Sequence, residues 1–362
     1  MSSNPLVVVS QPYVPAYRVP LFSAVEERLH DSRVDFVVAA GDPAGAQAAR
    51  GDSTRPDWRV DLPASSLHIA GRRFQRRRLP AGMRPDLLVS ELEALNTLAW
   101  STAFSQTKLV LWGHVAPYVN DSGPVADRIE WSLARRADAV MTYAEGGRRY
   151  LVDYGRIDPG KVTAIGNSTD SALLRREYLA VGDAELKQLK MTWPERPRAL
   201  FVGGLDATKR IDFLVDAAIE AARIDDSFEL VVVGRGESAP LLARAGSAVR
   251  HISSARGKSL ADLGHVVQAV WMPGRIGLVA VDAIALGLPV YTTDYAHHAP
   301  EAEFLQQGER VNLPDHPREF AARALELMTE SAQSKRKLRD DFPSIDIVAD
   351  RFADVVLRAL DH

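Results

Sequence analysis

PGRIGLVAVDAIALGLPVYTTD, residues 273–294, reads as a glycine turn, a short helix, a second turn and a buried strand. Gly274 and Gly277 permit tight backbone geometry at the turn. The N–H groups of Gly277, Leu278 and Val279 begin a helix running to Leu286 and carry its positive end, which suits a phosphate. Asp282 lies about one and a half turns in, on an apolar stripe where a lone carboxylate is costly to bury. It is placed to accept hydrogen bonds from two ribose hydroxyls. The plainer reading is that the glycines serve helix–sheet packing and Asp282 is solvated or paired with an arginine.

The strand that closes this stretch has counterparts along the whole chain. LVVVS (6–10), VDFVVAA (34–40), DLLVS (86–90), KLVLW (108–112) and ADAVMTY (137–143) alternate with helical segments. RALFVGG (198–204), FELVVVG (228–234), VRHIS (249–253), HVVQAVWM (265–272) and LPVYTT (288–293) repeat the pattern. Near-continuous apolar strands separated by helices require a parallel sheet covered on both faces. The expected fold class is α/β, with two doubly wound, Rossmann-like units. The expected domains are 1–180 and 190–343, with the amphipathic segment 344–362 packing back on the first. Between 43 and 85 the pattern is weakest, with strand candidates at 58–62 and 66–71.

The 362 residues are 46% hydrophobic and 25% charged, values of a globular chain. The net charge of -3 divides into about +2 over residues 1–190 and about -5 over the rest, so neither half is basic enough to bind nucleic acid. The chain contains no cysteine, which excludes disulfides, a thiolate nucleophile and Cys-ligated metal, and fits a cytoplasmic location. No apolar run is long enough to span a bilayer, so any membrane contact is expected to be peripheral. The run GRRFQRRRLP (71–80) holds five arginines, either a solvated face or one turned to anionic lipid headgroups or a lipid diphosphate acceptor.

In open α/β sheets, ligands bind beyond the carboxyl ends of strands. That rule selects GGLDATKR (203–210), GRGES (234–238), SSARGKS (253–259), PGRIG (273–277) and TDYAHHAPE (293–301), and, in the first half, QPYVPAYR (11–18), SELE (90–93), WGHVAPY (112–118) and TYAEGG (142–147). Lys209 and Arg210 are expected to open a helix, where two cations oppose the helix dipole and a bound diphosphate relieves them. Gly234 and Gly236 leave room beside a base or ribose, or simply turn the chain. The paired His297 and His298 invite a metal, yet adjacent residues point apart and no HExxH spacing is present, so no metal site is expected.

Taken together, FVGGLDATKRIDFLVDAA, LVVVGRGES, GLVAVDAIALGLPVYTTD and HHAPE resemble the nucleotide-sugar domain of glycosyltransferase family 4, whose fold is GT-B. The first half is similar to a subgroup of that family through QPYVPAYRVPLFSAV, VLWGH, RRADAVMTYAEGGRRYLVDYG and IGNSTD. The resemblance implies two domains facing across a cleft. It also implies metal-independent transfer of a hexosyl-type sugar, with retention, from a UDP- or GDP-linked donor to a saccharide, lipid-linked or small-molecule acceptor, without a further cofactor. By position, Lys209 neutralises the leaving diphosphate together with Arg210, the backbone at Gly277, Leu278 and Val279 binds its phosphates, and Asp282 holds the ribose. Gly203, Gly204, Gly234 and Gly236 line the donor. His298 and Glu301 approach the donor sugar, and His114 the reacting centre. Tyr13, Tyr17, Arg18 and Glu145 fall on the acceptor side. Asn167 and Asp170 read as helix caps.

Two departures stand out. The family's paired glutamates place the first at position 274, where this chain has Gly274. The arginine of the family's G-R-L turn is replaced by Gly204, leaving Arg275, Arg210 or Arg18 to supply charge. Two other readings follow: a nucleotide-sugar epimerase using His114, Glu91 and Glu145, or a binding protein that has kept the pocket without catalysis.

Overall fold

The computed structural model describes residues 4–43, 48, 51–69, 72–115, 118, 123–332 and 338–361. The chain divides into two compact units, Met1–Ala48, Asp52–Thr169 and Ile345–His362 forming one, and Ala49–Gly51 with Asp170–Ser344 the other.

The first unit is built on a seven-stranded sheet of order β3-β2-β1-β6-β7-β8-β9. Its strands are β1 (Leu6–Gln11), β2 (Asp35–Ala40), β3 (Arg59–Asp61), β6 (Leu87–Glu91), β7 (Lys108–Gly113), β8 (Ala139–Thr142) and β9 (Val162–Ala164). All its pairings are parallel. Both faces are apolar because alternate residues serve different layers. Val7 and Val9 pack with α1 (Val19–Asp31) and α11 (Ile345–Asp361), while Val8 faces the layer containing α2 (Thr97–Thr102), α3 (Pro124–Arg136) and α4 (Glu145–Asp153). Val348, Phe352 and Val356 of α11 are buried against this sheet, and Arg28 of α1 pairs with Asp346 and Asp350. A separate antiparallel pair, β4 (Ala64–Ile69) and β5 (Arg72–Arg77), lies between β3 and β6 in sequence. The candidate at 66–71 falls on β4 as far as Ile69, with 70 and 71 outside the described residues, and β5 is a further strand.

The second unit begins with α5 (Ser171–Ala180) and the exposed α6 (Asp183–Thr192). Its six-stranded parallel sheet has the order β12-β11-β10-β13-β14-β15. The strands are β10 (Arg198–Val202), β11 (Glu229–Val233), β12 (Val249–Ile252), β13 (Ala269–Trp271), β14 (Val290–Thr292) and β15 (Arg310–Asn312). Helices α7 (Ile211–Ile224), α8 (Lys258–Val266), α9 (Val279–Leu286) and α10 (Pro317–Ala332) complete it. The stretch that opens at residue 265 is not strand throughout: His265 and Val266 end α8, and only Ala269–Trp271 is strand, because Gln268 turns the chain and accepts from the Arg198 N–H at 2.6 Å.

Candidate functional site

In the second sheet β10 has β11 on one side and β13 on the other, so the strand order reverses there and a crevice opens beyond the carboxyl ends of β10 and β13. The loops leaving those two strands are joined. The Arg275 N–H donates to the Thr208 carbonyl at 2.9 Å, and the Lys209 Nζ donates to the Arg275 carbonyl at 2.5 Å. A Cβ placed on Gly277 would lie 3.7 Å from that ammonium. Lys209 therefore stands at the amino end of α9, and fixed cation and helix dipole add at one point. The N–H groups of Gly277, Leu278 and Val279 have no hydrogen-bond partner among the described residues. The helix itself begins at Val279 with Leu278 as its cap, two residues later than the sequence pattern suggests, and Asp282 falls in its first turn, half-buried.

Lys209 and Arg210 do not open α7. Lys209 ends a 3₁₀ turn (Ala207–Lys209) capped by the Asp206 carboxylate, which accepts from the Thr208 N–H at 3.0 Å. Arg210 caps α7 from the left-handed region, at φ 53°. This backbone is strained for a side chain other than glycine. The Arg210 guanidinium lies over the Phe213 ring and donates to Asp315 at 2.6 Å and Thr293 at 3.0 Å. Asp315 thus takes up part of the charge that Arg210 brings to the crevice, a partner more than a hundred positions away that local sequence does not reveal.

The loop after β14 folds back on the same turn. The Ala299 N–H donates to the Ile276 carbonyl at 2.9 Å, and His298 Nδ1 accepts from the Ile276 N–H at 3.1 Å. That bond puts the His298 proton on Nε2, which is buried and has no protein partner among the described residues. Burial, then the nearby Arg310, Lys209 and Arg275, lowers the His298 pKa to about 4. The imidazole is neutral at neutral pH and presents a fixed N–H donor. Glu301, 2% exposed, sits in the following 3₁₀ turn. Among the described residues no group of His, Asp and Glu side chains is arranged to hold a metal ion.

In these loops glycine has a packing role at Gly234, Gly236 and Gly274. A Cβ on Gly234 would come within 1.9 Å of the Gly203 carbonyl, and one on Gly236 within 2.3 Å of the Leu205 carbonyl. The loops after β10 and β11 pack backbone on backbone, with the Leu205 N–H donating to Arg235 at 2.9 Å, and this alone accounts for Gly234 and Gly236. A Cβ on Gly274 would meet the Thr208 carbonyl at 2.4 Å. The residue that departs from the resembled pattern is the one that lets the Lys209 turn close on α9. Gly204 precedes that turn, beside Asp206.

The first unit has its own polar cluster at the same kind of place, beyond β1, where β2 and β6 lie on opposite sides. Arg18 follows β1 in a 3₁₀ turn and is 5% exposed. Its guanidinium donates to the Tyr143 hydroxyl at 2.8 Å and lies 4.4 Å from the Trp112 ring centroid and 5.3 Å from that of Tyr17. His114, after β7, packs on Tyr143 at 4.7 Å. Tyr13 is buried in the same loop. Arg18, His114 and Tyr143 are thus brought together, and Tyr143 is a member that the sequence reading passed over although its strand-end position marks it. Glu145 is instead tied to Arg148 at 3.2 Å at the start of α4. Glu91, ending β6, pairs with Arg77, and burial followed by repulsion from Glu93 pushes its pKa up to about 7. Asp170 caps α5, accepting from the Leu173 N–H at 3.2 Å, and Asn167 is buried just before it.

Comparison with known proteins bears on the second unit first. The family model described as Glycosyl transferases group 1 matches residues 196–330. Among solved structures, a glycosyltransferase from Rickettsia africae ESF-5 is similar over 99% of this chain and 95% of its own, at 9% identity and a TM-score of 0.63. The UDP-GlcNAc 2-epimerase of Neisseria meningitidis, bound to UDP-GlcNAc, is similar over 98% of this chain and all (100%) of its own, at 13% identity and a TM-score of 0.64. Anabaena HepE in complex with UDP and glucose is similar over 98% and 95%, at 13% identity and a TM-score of 0.59. No curated protein matches the sequence. At these identities the likeness establishes the fold: two parallel-sheet α/β units of GT-B type.

Proposed function

We propose that the protein is a retaining glycosyltransferase that moves a sugar from a nucleotide-diphosphate donor, UDP- or GDP-linked, to a glycan, lipid-linked or small-molecule acceptor. The observation that carries this reading is the convergence of the Lys209 ammonium, the amino end of α9 and the neutral His298 on one crevice of the second unit. A diphosphate placed there meets a fixed cation and the N–H groups of Gly277, Leu278 and Val279, which stabilise the charge that grows as the glycosidic bond breaks. Asp282 takes the ribose hydroxyls. His298 donates through Nε2 to the donor sugar, beside Glu301, and Arg275 adds charge at the rim. In the first unit, Tyr13, Tyr17 and Arg18 receive the acceptor and His114 orients a sugar hydroxyl. No metal and no cofactor beyond the co-substrate enter this scheme, which belongs in the cytoplasm.

The test is a thermal-shift panel of UDP, GDP, ADP and their sugars, since a ligand at 100 times its Kd adds about 2.7 kcal/mol to stability. Failure of every nucleotide to stabilise the protein removes the donor site. A second reading, epimerisation of the nucleotide sugar, is favoured by Glu91, whose pKa near 7 suits proton transfer at neutral pH. Incubation of a stabilising donor without acceptor separates the two: a new nucleotide-sugar isomer establishes epimerisation, and its absence with glycoside formed on adding acceptor establishes transfer.

A further inference from the structure

The first unit carries an apolar and cationic face that the proposed chemistry does not use. Phe104, just after α2, is 73% exposed, and Val125, at the start of α3, is 67% exposed. Leu95, before α2, is also exposed. Trp100 joins them: its ring stacks on Phe104 at 6.3 Å and, with Val125, Arg128, Ile129 and Ser132, it lines one groove between the two helices. Arg136 lies over both rings, 5.8 Å from Trp100 and 5.4 Å from Phe104.

The charge on this face has one sign in excess. Arg128 and Arg136 are exposed and form no ion pair among the described residues. The acids of α3 are engaged elsewhere. Glu130 accepts from the Ala94 N–H at 3.3 Å with a pKa raised to about 7 by burial, and Asp127 bonds Tyr150. Glu93 is the exposed acid on this side. The strand β5 lies against α2.

We propose that the face formed by α2, Phe104 and α3 docks on an anionic lipid bilayer at headgroup depth. Exposed aromatic and aliphatic side chains suit that depth, and arginines that cover apolar surface while keeping the charge in the headgroup layer suit its chemistry. Basic residues near an anionic surface add attraction that fades within a Debye length. No described helix is long and apolar enough to cross a membrane. This assignment stands independently of the sugar-transfer reading.

The experiment is co-sedimentation of the full chain with vesicles of phosphatidylcholine alone and of phosphatidylcholine mixed with phosphatidylglycerol. Binding is expected on the mixed vesicles only, weakening with added salt. Arg128→Gln and Arg136→Gln are each expected to weaken it about fivefold, the value of one basic residue at such a surface. Phe104→Ser with Val125→Ser is expected to abolish it while the thermal transition stays in place. Absence of binding to the mixed vesicles, equal binding to both kinds, or unaltered binding by folded variants overturns the proposal. So does a concentration-dependent dimer that the same substitutions dissolve without any vesicle binding, which assigns the face to a second copy of the chain.

Discussion

The Lys209 ammonium donates to the Arg275 carbonyl oxygen at 2.5 Å, which fixes a flexible four-carbon side chain across the loop that starts α9. A lysine held this way has already lost its rotamer freedom before a ligand arrives.

Lys209→Ala is therefore expected to lower turnover about 10²–10³-fold, the usual cost of removing one preorganised stabiliser of developing negative charge. The fold is expected to persist, because the side chain is only partly buried at the surface of the loop. Steady-state kinetics with the donor found by thermal shift, beside a melting curve, provide the check. Unchanged turnover removes Lys209 from the chemistry.

Restoring the carboxylate of the resembled pattern by Gly274→Glu is expected to damage the site. Its Cβ would lie 2.4 Å from the Thr208 carbonyl and 2.6 Å from the Lys209 carbonyl carbon, both backbone. Forcing the loops apart costs about 1–3 kcal/mol, and Gly274→Ala is expected to cost nearly as much because the clash is already at Cβ. Urea denaturation measures both. A variant as stable as the parent would mean that the Ala207–Lys209 turn yields easily.

His298 makes a prediction for pH. Its folded pKa of about 4 lies below the ordinary 6.5, so between those values the unfolded chain binds a proton that the folded chain refuses. Stability is expected to fall as pH drops from about 6.5 to 4, by about 1–2 kcal/mol after allowance for partial exposure, with no contribution from this group above 6.5. His298→Asn keeps an acceptor for the Ile276 N–H and removes the titration. The difference in urea midpoints between the two proteins, followed from pH 7 to 4.5, isolates the effect, and parallel curves would refute it.

Glu229→Ala is expected to be among the most destabilising single changes in the second unit. Arg198 and Glu229 face each other on β10 and β11, joined at 2.7 Å, with side chains 1% and 5% exposed. Arg250 donates to the other oxygen at 2.8 Å. Removing the carboxylate strands a buried guanidinium and costs about 3–5 kcal/mol, whereas Glu229→Gln keeps an acceptor and costs less. Chemical denaturation decides between this and a pair of no consequence.

The β-branched runs placed the ten main strands because a parallel sheet buried on both faces demands an apolar residue at nearly every position. Strands β5, β9 and β15 escaped that reading, β5 because its run is mostly arginine, β9 and β15 because each is three residues at a sheet edge with little apolar signal. Near 265 the reading ran too far, since HVVQ is apolar whether it ends a helix or begins a strand, and periodicity does not separate the two in so short a run. In the second unit, glycines and cations at strand ends marked the loops that meet. Nothing local marked Asp315 as the partner of Arg210, nor the backbone contacts that fix Gly234, Gly236 and Gly274.

The chain by itself determined two α/β units and the loops that lie at their strand ends, because apolar periodicity and turn residues act over a few neighbours. Only the tertiary structure decided how those loops are used. Strand order in each sheet set which two loops share a crevice, and long-range contacts assigned the proton on His298, the charge left on Arg210 and the glycine at 274. Such properties depend on distances through space between residues far apart in sequence, and burial and electrostatics act through those distances.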